Sequence, residues 1–298
     1  MKTGKIMKRL TILVATLALA LTVSAQQYER YFNRPFANLR ITVGGGLNAM
    51  LYDNENGESS PGLCFDMGVH YTQFFSGFGV GIGVHLSSLG ASAKYSYDEV
   101  TPNLIHANNP DAQYDLTTSF NNWRERQTIT ALGVPIEAFY RFSMGNGRHF
   151  ICGLGMQFDM AVRGKYGAGG GDYTTTGLFH VARPHSIGDM PEHGFSTYDE
   201  TFDARITDFK VGISAVADLG VHLPLGFSGG LYIGIFGGFG ITSILDATEG
   251  TTPMLTINPD DASVIDYYGT FAANGNPSLH LLRVGVKLGI DIGSPIDN

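Results

Sequence analysis

The sequence predicts an all-β fold, an eight-stranded antiparallel up-and-down transmembrane β-barrel with short periplasmic turns and long extracellular loops. Three observations predict it. Apolar residues alternate with polar or small residues along eight segments, and almost no segment has the spacing of an amphipathic helix. The connections between these segments are alternately short and longer. Charged residues make up only 15% of the chain, against roughly 25% in an ordinary soluble domain.

Residues 1–25 have the pattern of a secretory signal peptide. Lys2, Lys5, Lys8 and Arg9 precede an apolar run that ends in small residues before Gln26. This run is shorter than the roughly 20 residues of a membrane-spanning helix, so we expect cleavage rather than an uncleaved anchor. Removal of the signal leaves 15 basic and 27 acidic side chains, a net charge of −12. That charge argues against nucleic acid as a partner.

Eight strands are expected along the rest of the chain. They cover residues 38–52, 61–75, 77–97, 126–143, 148–164, 204–223, 226–246 and 278–293. Tight turns follow the second, fourth and sixth strands, whereas long polar loops cover residues 98–125, 165–203 and 247–277. Turns at one end and long loops at the other are typical of an outer-membrane barrel. Residues 26–37 then form a short periplasmic segment, 38–293 the barrel and 294–298 a C-terminal tail.

Each strand has an apolar face and a face that carries charges. In the fourth strand, the face opposite to Glu137 and Arg141 is formed by Leu132, Val134, Ile136, Ala138 and Tyr140. Apolar stripes of about ten positions match the 9–11 tilted residues that cross the hydrocarbon of a membrane. A Lys or Arg that faces lipid at mid-membrane costs about 2–4 kcal/mol, so the charged faces are expected to line the lumen.

The alternation assigns twelve charged residues to a structural network in the lumen. They are Arg40, Arg141, Arg163, Lys210, Arg283 and Lys287, with Asp66, Glu137, Asp159, Asp208, Asp218 and Asp291. Their near-neutral sum predicts mutual pairing rather than a selective pore, since eight strands enclose a space that side chains fill. Glu137 and Arg141 lie about 13 Å apart along one face, so each is expected to contact another strand.

Aromatic, proline and glycine positions add further detail. Five outward-facing residues beside the short turns predict a periplasmic aromatic girdle: Phe75, Phe78, Phe142, Phe150 and Phe227. Pro135 lacks an N–H group, and a closed barrel has no free edge, so we expect a local bulge there. Inward glycines at 230, 234, 238 and 240 are expected to leave room for Tyr232 and Phe236.

The chain has few candidates for catalysis or metal binding. The long loop of residues 165–203, which is the third connection on that side of the barrel, contains His180, His185 and His193 with Asp189 and Glu192. These residue types could bind a transition metal or, with Ser186 or Ser196, act in hydrolysis. Their spacing matches no metal site, and no motif sets a nucleophile beside a base. We therefore predict that the protein is not an enzyme and has no metal ion or cofactor.

Two other sequence features have simple interpretations. Cys64 and Cys152 lie on strands that are expected to be far apart with opposite facing, so free thiols are favoured over a disulfide. The Gly-rich segment 164–173 does not join a strand to a helix and is not a phosphate-binding loop. We interpret it as a flexible loop, and residues 101–115 as a surface loop.

Part of the sequence resembles a known family. Residues 132–142 (LGVPIEAFYRF), a Gly-containing turn and residues 149–166 (HFICGLGMQFDMAVRGKY) resemble the small outer-membrane barrels of the PorT-like group of Bacteroidetes. Residues 208–223 (DFKVGISAVADLGVHL) resemble the next strand of that group, and the overall plan is similar to OmpA- and OmpX-like barrels. The resemblance implies the fold and a place in the cell outer membrane, and no chemistry.

Three functions are therefore open at this point. The leading expectation is an integral outer-membrane barrel with a structural or surface-interaction role through its extracellular loops. The second is transport or an accessory role in secretion, and the third is hydrolysis of lipid or peptide at the outer membrane. The expected partners are outer-membrane lipid and proteins that bind the loops or the periplasmic face.

Overall fold

A computed structural model describes residues 36–53, 56–106, 109–180, 185–225, 229–246, 252–257, 264–275 and 277–295. The expected signal peptide, most of the segment 26–37 and the last three residues lie outside these ranges. Among the described residues, no helix has the length and apolar character needed to span a membrane.

The described residues form sixteen strands and one short α-helix. The strands are β1 (Phe36–Leu51), β2 (Gly57–Phe75), β3 (Phe78–Tyr95), β4 (Asp98–His106), β5 (Asn109–Asn121), β6 (Trp123–Ser143), β7 (His149–Gly169), β8 (Asp172–Phe179), β9 (His185–Ile187), β10 (Thr197–Tyr198), β11 (Phe202–Ile206), β12 (Val211–Pro224), β13 (Gly229–Gly240), β14 (Leu255–Ile257), β15 (Ile265–Tyr267) and β16 (His280–Pro295), and the helix is α1 (Thr270–Ala273). A 3-10 turn covers Pro191–His193.

Eight of these strands close into a ring, which confirms the predicted fold class. In order around the ring they are β1, β2, β3, β6, β7, β12, β13 and β16, and β16 pairs again with β1. Every pairing is antiparallel. Because the ring is closed, each strand has a hydrogen-bonded neighbour on both sides, as a sheet in hydrocarbon requires.

The connections follow the predicted alternation. Ser76 and Gly77 alone separate β2 from β3, and residues 144–148 separate β6 from β7. The second turn is closed by two backbone hydrogen bonds: the N–H of Met144 donates to the carbonyl of Arg148, and the N–H of Arg148 donates to the carbonyl of Gly145. Gly145, Asn146 and Gly147 all have positive φ, a conformation that glycine and asparagine adopt at low cost. The glycine and asparagine content of residues 145–147 therefore explains why the chain can turn so tightly here.

Two strands end earlier or are divided compared with their predicted bounds. The segment 204–223 consists of β11, which pairs with the end of β7, and β12, which begins at Val211. Asp208 has a φ of 60° between them, so the chain bends there and leaves the ladder. The next strand ends at Gly240 rather than at residue 246, and Leu245 instead forms an isolated bridge with Phe209.

The bulge expected at Pro135 is absent. Pro135 pairs in register with Gln157, and the pairing of β6 with β3 keeps one register on both sides of it. The irregularity lies four to five residues before Pro135 in β6, where Thr130 pairs with Arg163 but Ala131 pairs with Ala161. Val162 is therefore the extra residue in β7. The prediction was wrong because the strand accommodates the missing N–H of Pro135 without an extra residue. One contact of the ladder with β3 is omitted there, and the register continues unchanged.

The long connections are folded, which corrects the interpretation of residues 164–173 as a flexible loop. β7 continues to Gly169, and a turn at Gly170 leads directly into β8. Residues 101–115 fall largely within the hairpin of β4 and β5. Strands β10, β8, β5 and β4 make a second sheet, to which β9 adds by pairing with β8. This sheet lies at the long-loop end of the barrel, and we call it the extracellular sheet after the predicted side of the membrane.

Candidate functional site

The outer surface of the ring is apolar. On β3 the outward side chains of Phe78, Val80, Ile82, Val84 and Leu86 are each 45–51% exposed. Outward apolar residues on β1, β2, β6, β7, β13 and β16 are exposed in the same way. A soluble protein would bury so large a contiguous apolar surface. We call this surface the apolar belt.

Four of the five predicted girdle residues lie at the short-turn end of the apolar belt. Phe75, Phe78, Phe142 and Phe150 are exposed beside the turns. Phe142 and Phe150 are cross-strand partners whose ring centroids lie 6.2 Å apart. Phe227 lies outside the described residues.

The lumen contains nine of the twelve charged residues assigned to it. Each is at most 8% exposed, and they are Arg40, Asp66, Glu137, Arg141, Asp159, Asp218, Arg283, Lys287 and Asp291. The other three, Arg163, Asp208 and Lys210, are exposed, and their assignment to the lumen was wrong.

The three misplaced residues have two structural causes. The extra residue Val162 reverses the alternation of β7, so Arg163 points outward. Asp208 and Lys210 lie in the bend between β11 and β12, where alternation does not apply. The ammonium of Lys210 there lies 3.3 Å from the carboxylate of Asp246.

Two aspartates form ion pairs and hydrogen bonds at the centre of the lumen. Asp291 accepts hydrogen bonds from Nε of Arg40 at 2.6 Å and from its Nη2 at 3.1 Å, and its Oδ2 lies 2.6 Å from Nδ1 of His222. Asp218 lies 2.8 Å from Nζ of Lys287 and accepts a hydrogen bond from the Tyr232 hydroxyl. These contacts join four strands, so the charges cross-link the wall of the barrel.

A second group of contacts surrounds Asp159. Its carboxylate accepts hydrogen bonds from the Gln157 amide and the Ser214 hydroxyl at 2.5 Å each, and lies 3.5 Å from Nη2 of Arg283. The three partners come from β7, β12 and β16. Asp159 is 1% exposed, so polar side chains replace the water that it loses.

Buried histidines belong to the lumen although the sequence analysis did not select them. Asp66 accepts a hydrogen bond from the Ser87 hydroxyl at 2.6 Å and lies 3.2 Å from Nδ1 of His85. His70 lies 3.3 Å from Glu137. The signal was available, because these histidines have the same inward alternation as the charged residues on their strands.

Glu137 and Arg141 contact other strands rather than each other, in agreement with their spacing. Glu137 lies beside His70 of β2. Arg141 donates from Nε to the backbone oxygen of Ser76 at 2.9 Å, and its guanidinium lies 4.8 Å from the centroid of the Phe74 ring.

Large side chains occupy the short-turn end of the lumen. Phe74, Phe139, Ile151 and Tyr232 form a buried cluster there. Tyr232 fits because Gly234 is adjacent, where an added Cβ would lie 2.5 Å from the Tyr232 hydroxyl oxygen. Of the four glycines predicted to make room for Tyr232 and Phe236, Gly234 does so for Tyr232, whereas Phe236 lies against Gly44 and Gly285.

A small cavity remains between the charged groups. It has a volume of about 30 Å³, and Asp66, His85, Glu137, Arg283 and Lys287 are among its lining residues. A cavity of that size has room for about two waters. The described part of the lumen is thus filled by side chains at this level.

The long-loop end of the lumen is covered by a segment of the chain, which we call the cap (residues 264–275). Glu125, fully buried on β6, accepts hydrogen bonds from the Tyr267 hydroxyl, the Gln127 amide, and both the backbone N–H and the hydroxyl of Thr270. Thr270 also bonds to the Tyr95 hydroxyl. One carboxylate therefore ties the cap to the barrel wall.

Apolar packing supports the cap. Phe271 is fully buried and packs against Tyr166 and Tyr52, with ring centroids 5.6 Å and 4.9 Å apart. Its backbone N–H donates to the Tyr166 hydroxyl at 3.0 Å. Leu279, just before β16, and Leu281, at its start, belong to the same cluster. The mouth of the barrel therefore has a hydrophobic core.

The extracellular sheet has its own apolar core. Tyr114, Leu116, Phe179, Phe195 and Ile257 are buried together. Beside them, Nε2 of His180 lies 2.8 Å from the Asp115 carboxylate, and this hydrogen bond lowers the pKa of Asp115 below its usual value. Burial raises the pKa of Glu99 on β4, although its carboxylate accepts a hydrogen bond from the Met254 backbone N–H.

The candidate residues of the third loop are dispersed. His180 pairs with Asp115, His185 begins β9, and His193 ends the 3-10 turn. Within the ranges described, no group of three or more His, Cys, Asp or Glu side chains could hold a metal ion. Cys64 is buried, Cys152 is partly exposed, and both are free thiols.

Comparison with known proteins gives structural neighbours only. No protein-family model and no curated protein sequence matches the chain. Its structure is similar to that of neisserial surface protein A (7% identity, TM-score 0.33, 86% of this chain and 96% of that chain covered). It is also similar to outer membrane protein OprG of Pseudomonas aeruginosa (9%, 0.36, 88% and 97%) and to Ail, the attachment invasion locus protein of Yersinia pestis (10%, 0.30, 86% and 99%). These neighbours are small outer-membrane β-barrel proteins with eight strands.

Proposed function

We propose that the protein is an integral outer-membrane barrel that is closed to passage and presents a folded surface outside the cell. The observation that carries this proposal is the filled lumen, in which paired charges, aromatic side chains and the cap follow one another along the barrel axis. The apolar belt supports the membrane location, because water is a poor solvent for it and lipid a good one.

The folded state of the long connections supports the surface role. A transporter with eight strands would need space along its axis, whereas this chain uses its long connections to build a sheet with a core. A folded surface loses little conformational entropy when a partner binds. Val100 and Ile105 on β4 remain more than half exposed and are suited to such contact. Membership of the PorT-like group stays a prediction, based on residues 132–142 and 149–166.

Nothing in the proposal requires catalysis. His180 already has a carboxylate partner, and the described histidines of the third loop lie on separate elements. We therefore propose a role in structure or contact rather than hydrolysis.

Conductance measurements test the closed lumen. We expect wild-type protein in planar bilayers to give no steady ion current, because paired charges and bulky side chains occupy the axis. An open porin inserted under the same conditions serves as the positive control. A large and steady current from the wild-type barrel would contradict the proposal and favour transport.

Labelling of intact cells tests the orientation. In a background with Cys64→Ala and Cys152→Ala, we expect a membrane-impermeant maleimide to label Val100→Cys on the extracellular sheet. Asn146→Cys, in an equally exposed short turn, should react only after the outer membrane is breached. The reverse pattern would show that the extracellular sheet faces the periplasm.

A further inference from the structure

A cluster of basic side chains lies on the outer face of the barrel, just beyond the apolar belt toward the long-loop end. Six exposed residues form this cationic band: Lys94, Arg124, Arg126, Arg163, Lys165 and Arg205. The full chain has only 19 basic residues and a net charge of −8. So many cations on one sector of an acidic protein require a specific explanation.

The strand registers bring these cations together. Lys94 of β3 lies directly opposite Arg124 of β6, and Lys165 of β7 lies directly opposite Arg205 of β11. Like charges directly opposite each other on one face destabilise a sheet. Arg163 joins the cationic band because the extra residue Val162 turns it outward. The arrangement costs stability unless an anion neutralises it.

In the part of the chain that the structure describes, few acidic groups compensate the cationic band. Glu58 of β2 lies opposite Lys94 of β3 in the strand register. Asp203 of β11 lies opposite Gly167 of β7, and Arg126 of β6 lies opposite the same glycine on the other side. Within the described ranges, none of the six cations lies within 4.0 Å of a carboxylate. Glu58 and Asp203 are the acidic neighbours that the registers of the described strands place beside the six cations, so the cationic band has an excess of positive charge directed away from the barrel.

The height of the cationic band matches a membrane surface. On β6 the outward apolar residues run from Phe142 to Leu132, and on β7 from Phe150 to Met160. Ten residues of a strand tilted by about 45° rise by about 23 Å, close to the ~25 Å apolar band of barrels of this type. On β7, Arg163 lies three residues beyond Met160, and on β6, Arg126 lies six residues beyond Leu132. The cationic band therefore begins at the level of lipid headgroups in the outer leaflet and extends beyond it.

The surface beside Arg126 is concave and joins the apolar belt. A depression of about 620 Å³ has Arg124, Arg126, Ser92, Gly167 and the acidic Asp203 among its lining residues. A second depression, of about 440 Å³, is lined by Arg126, Ser92, Gly90 and Leu63. Leu63 is 78% exposed and belongs to the apolar belt. An acyl chain could therefore lie along the belt while its headgroup contacts Arg126.

We propose that the cationic band binds an anionic lipid of the outer leaflet whose headgroup carries phosphate, an inference that rests on the proposed membrane location. Guanidinium groups bind phosphate through paired N–H donors, and the hydroxyls of Ser92 and Thr128 lie opposite Arg126 and Lys165 as further donors. The lipid anchors one sector of the barrel and neutralises its opposed like charges.

The test measures lipid binding to the folded wild-type barrel in a neutral detergent, by native mass spectrometry. The probes are dioleoyl phosphatidic acid and dioleoyl phosphatidylcholine, which share acyl chains and differ in headgroup charge. We expect the phosphatidic acid to bind at least tenfold more tightly, and its affinity to fall as sodium chloride rises from 0.05 to 0.5 M, because salt screens exposed charges. Equal affinities for the two lipids would overturn the proposal.

Matched variants locate the site. Arg124→Gln/Arg126→Gln is expected to lose most of the preference for phosphatidic acid, and Arg126→Gln alone to lose part of it. Arg148→Gln removes a cation that is also exposed but lies at the short-turn end, and it should behave as wild type. Unchanged binding by the double variant would refute the assignment. Displacement of the lipid by an equal concentration of inorganic phosphate would refute a lipid occupant.

A separate measurement distinguishes failure of this inference from failure of the proposed function. A closed barrel keeps its fold in detergent and migrates differently before and after boiling. Wild-type protein that shows this shift and inserts into phosphatidylcholine vesicles, yet has no preference for phosphatidic acid, would contradict the lipid inference alone. Protein that fails to insert would contradict the membrane location itself.

Discussion

Replacement of Asp291 by alanine is expected to lower the free energy of unfolding by about 3–5 kcal/mol. The carboxylate accepts two hydrogen bonds from Arg40 and lies 2.6 Å from His222. Without it, the buried guanidinium of Arg40 keeps the more distant carboxylate of Asp218, at 3.8 Å, and the face of the Tyr232 ring as its partners among the described residues. Urea unfolding of the protein in lipid vesicles, extrapolated linearly to water, measures the change.

An exposed ion pair provides the control for this variant. Lys210 and Asp246 lie 3.3 Å apart, but their side chains are 41% and 62% exposed. Asp246→Ala should therefore cost at most about 1 kcal/mol, because water solvates the remaining ammonium. Equal losses for Asp291→Ala and Asp246→Ala would show that water reaches the lumen freely.

A double-mutant cycle separates the interaction energy between Arg40 and Asp291 from the individual effect of losing each residue. Arg40→Ala/Asp291→Ala removes both charges, so it should be less destabilising than the sum of the single variants. Strict additivity would mean that Arg40 and Asp291 do not stabilise each other, in conflict with their two hydrogen bonds.

Replacement of Glu125 by alanine is expected to release the cap. The carboxylate is the acceptor for Tyr267, Gln127 and both donors of Thr270. Removal of the acceptor leaves these donors unpaired in a buried site, at about 1–3 kcal/mol for each that finds no other partner. The local stability of the cap should fall by about 3 kcal/mol or more, and hydrogen exchange of residues 264–275 should accelerate more than a hundredfold.

The design of this experiment includes a conservative and a distant control. Glu125→Gln keeps the size and one acceptor oxygen, so its effect should be smaller than that of alanine. Asp98→Ala removes an exposed carboxylate on β4 and should leave exchange in the cap unchanged. Unaltered protection of the cap in Glu125→Ala would show that Phe271 and its apolar neighbours hold the cap without the carboxylate.

The sequence carried enough information for the barrel because a membrane imposes a strict pattern on a strand. One face contacts hydrocarbon and the other a narrow polar lumen, so each strand must alternate along its length. β3 shows the consequence, since Phe78 to Leu86 point outward at every second position. The alternation also assigned Arg40, Asp218 and Asp291 to the lumen, where the structure has them.

Alternation fails wherever the register changes, and no local signal marks that change. Val162 is an ordinary apolar residue, yet as the extra residue in β7 it turns Arg163 to the outside. Asp208 similarly ends the regular ladder before β12. A bulge depends on the pairing between two strands, whereas alternation is a property of one strand.

The long connections show even more clearly that local sequence does not determine the pairing between distant segments. Segment 164–173 is rich in glycine, and its composition favours a flexible loop. In the structure it continues β7 and begins β8, because β6, β11 and β5 provide strands to pair with. Non-local hydrogen bonds therefore override local preference.

The sequence by itself determined the number of strands in the ring, the alternation of turns and long connections, and most of the charges inside the barrel. Each of these follows from the chemistry of neighbouring residues in lipid or in the lumen. Only the tertiary structure decided how Glu125 holds the cap, which side chains pair across the lumen, and where Arg163 points. Those contacts join residues far apart in the chain, such as Arg40 and Asp291, and their geometry exists only once the ring has closed.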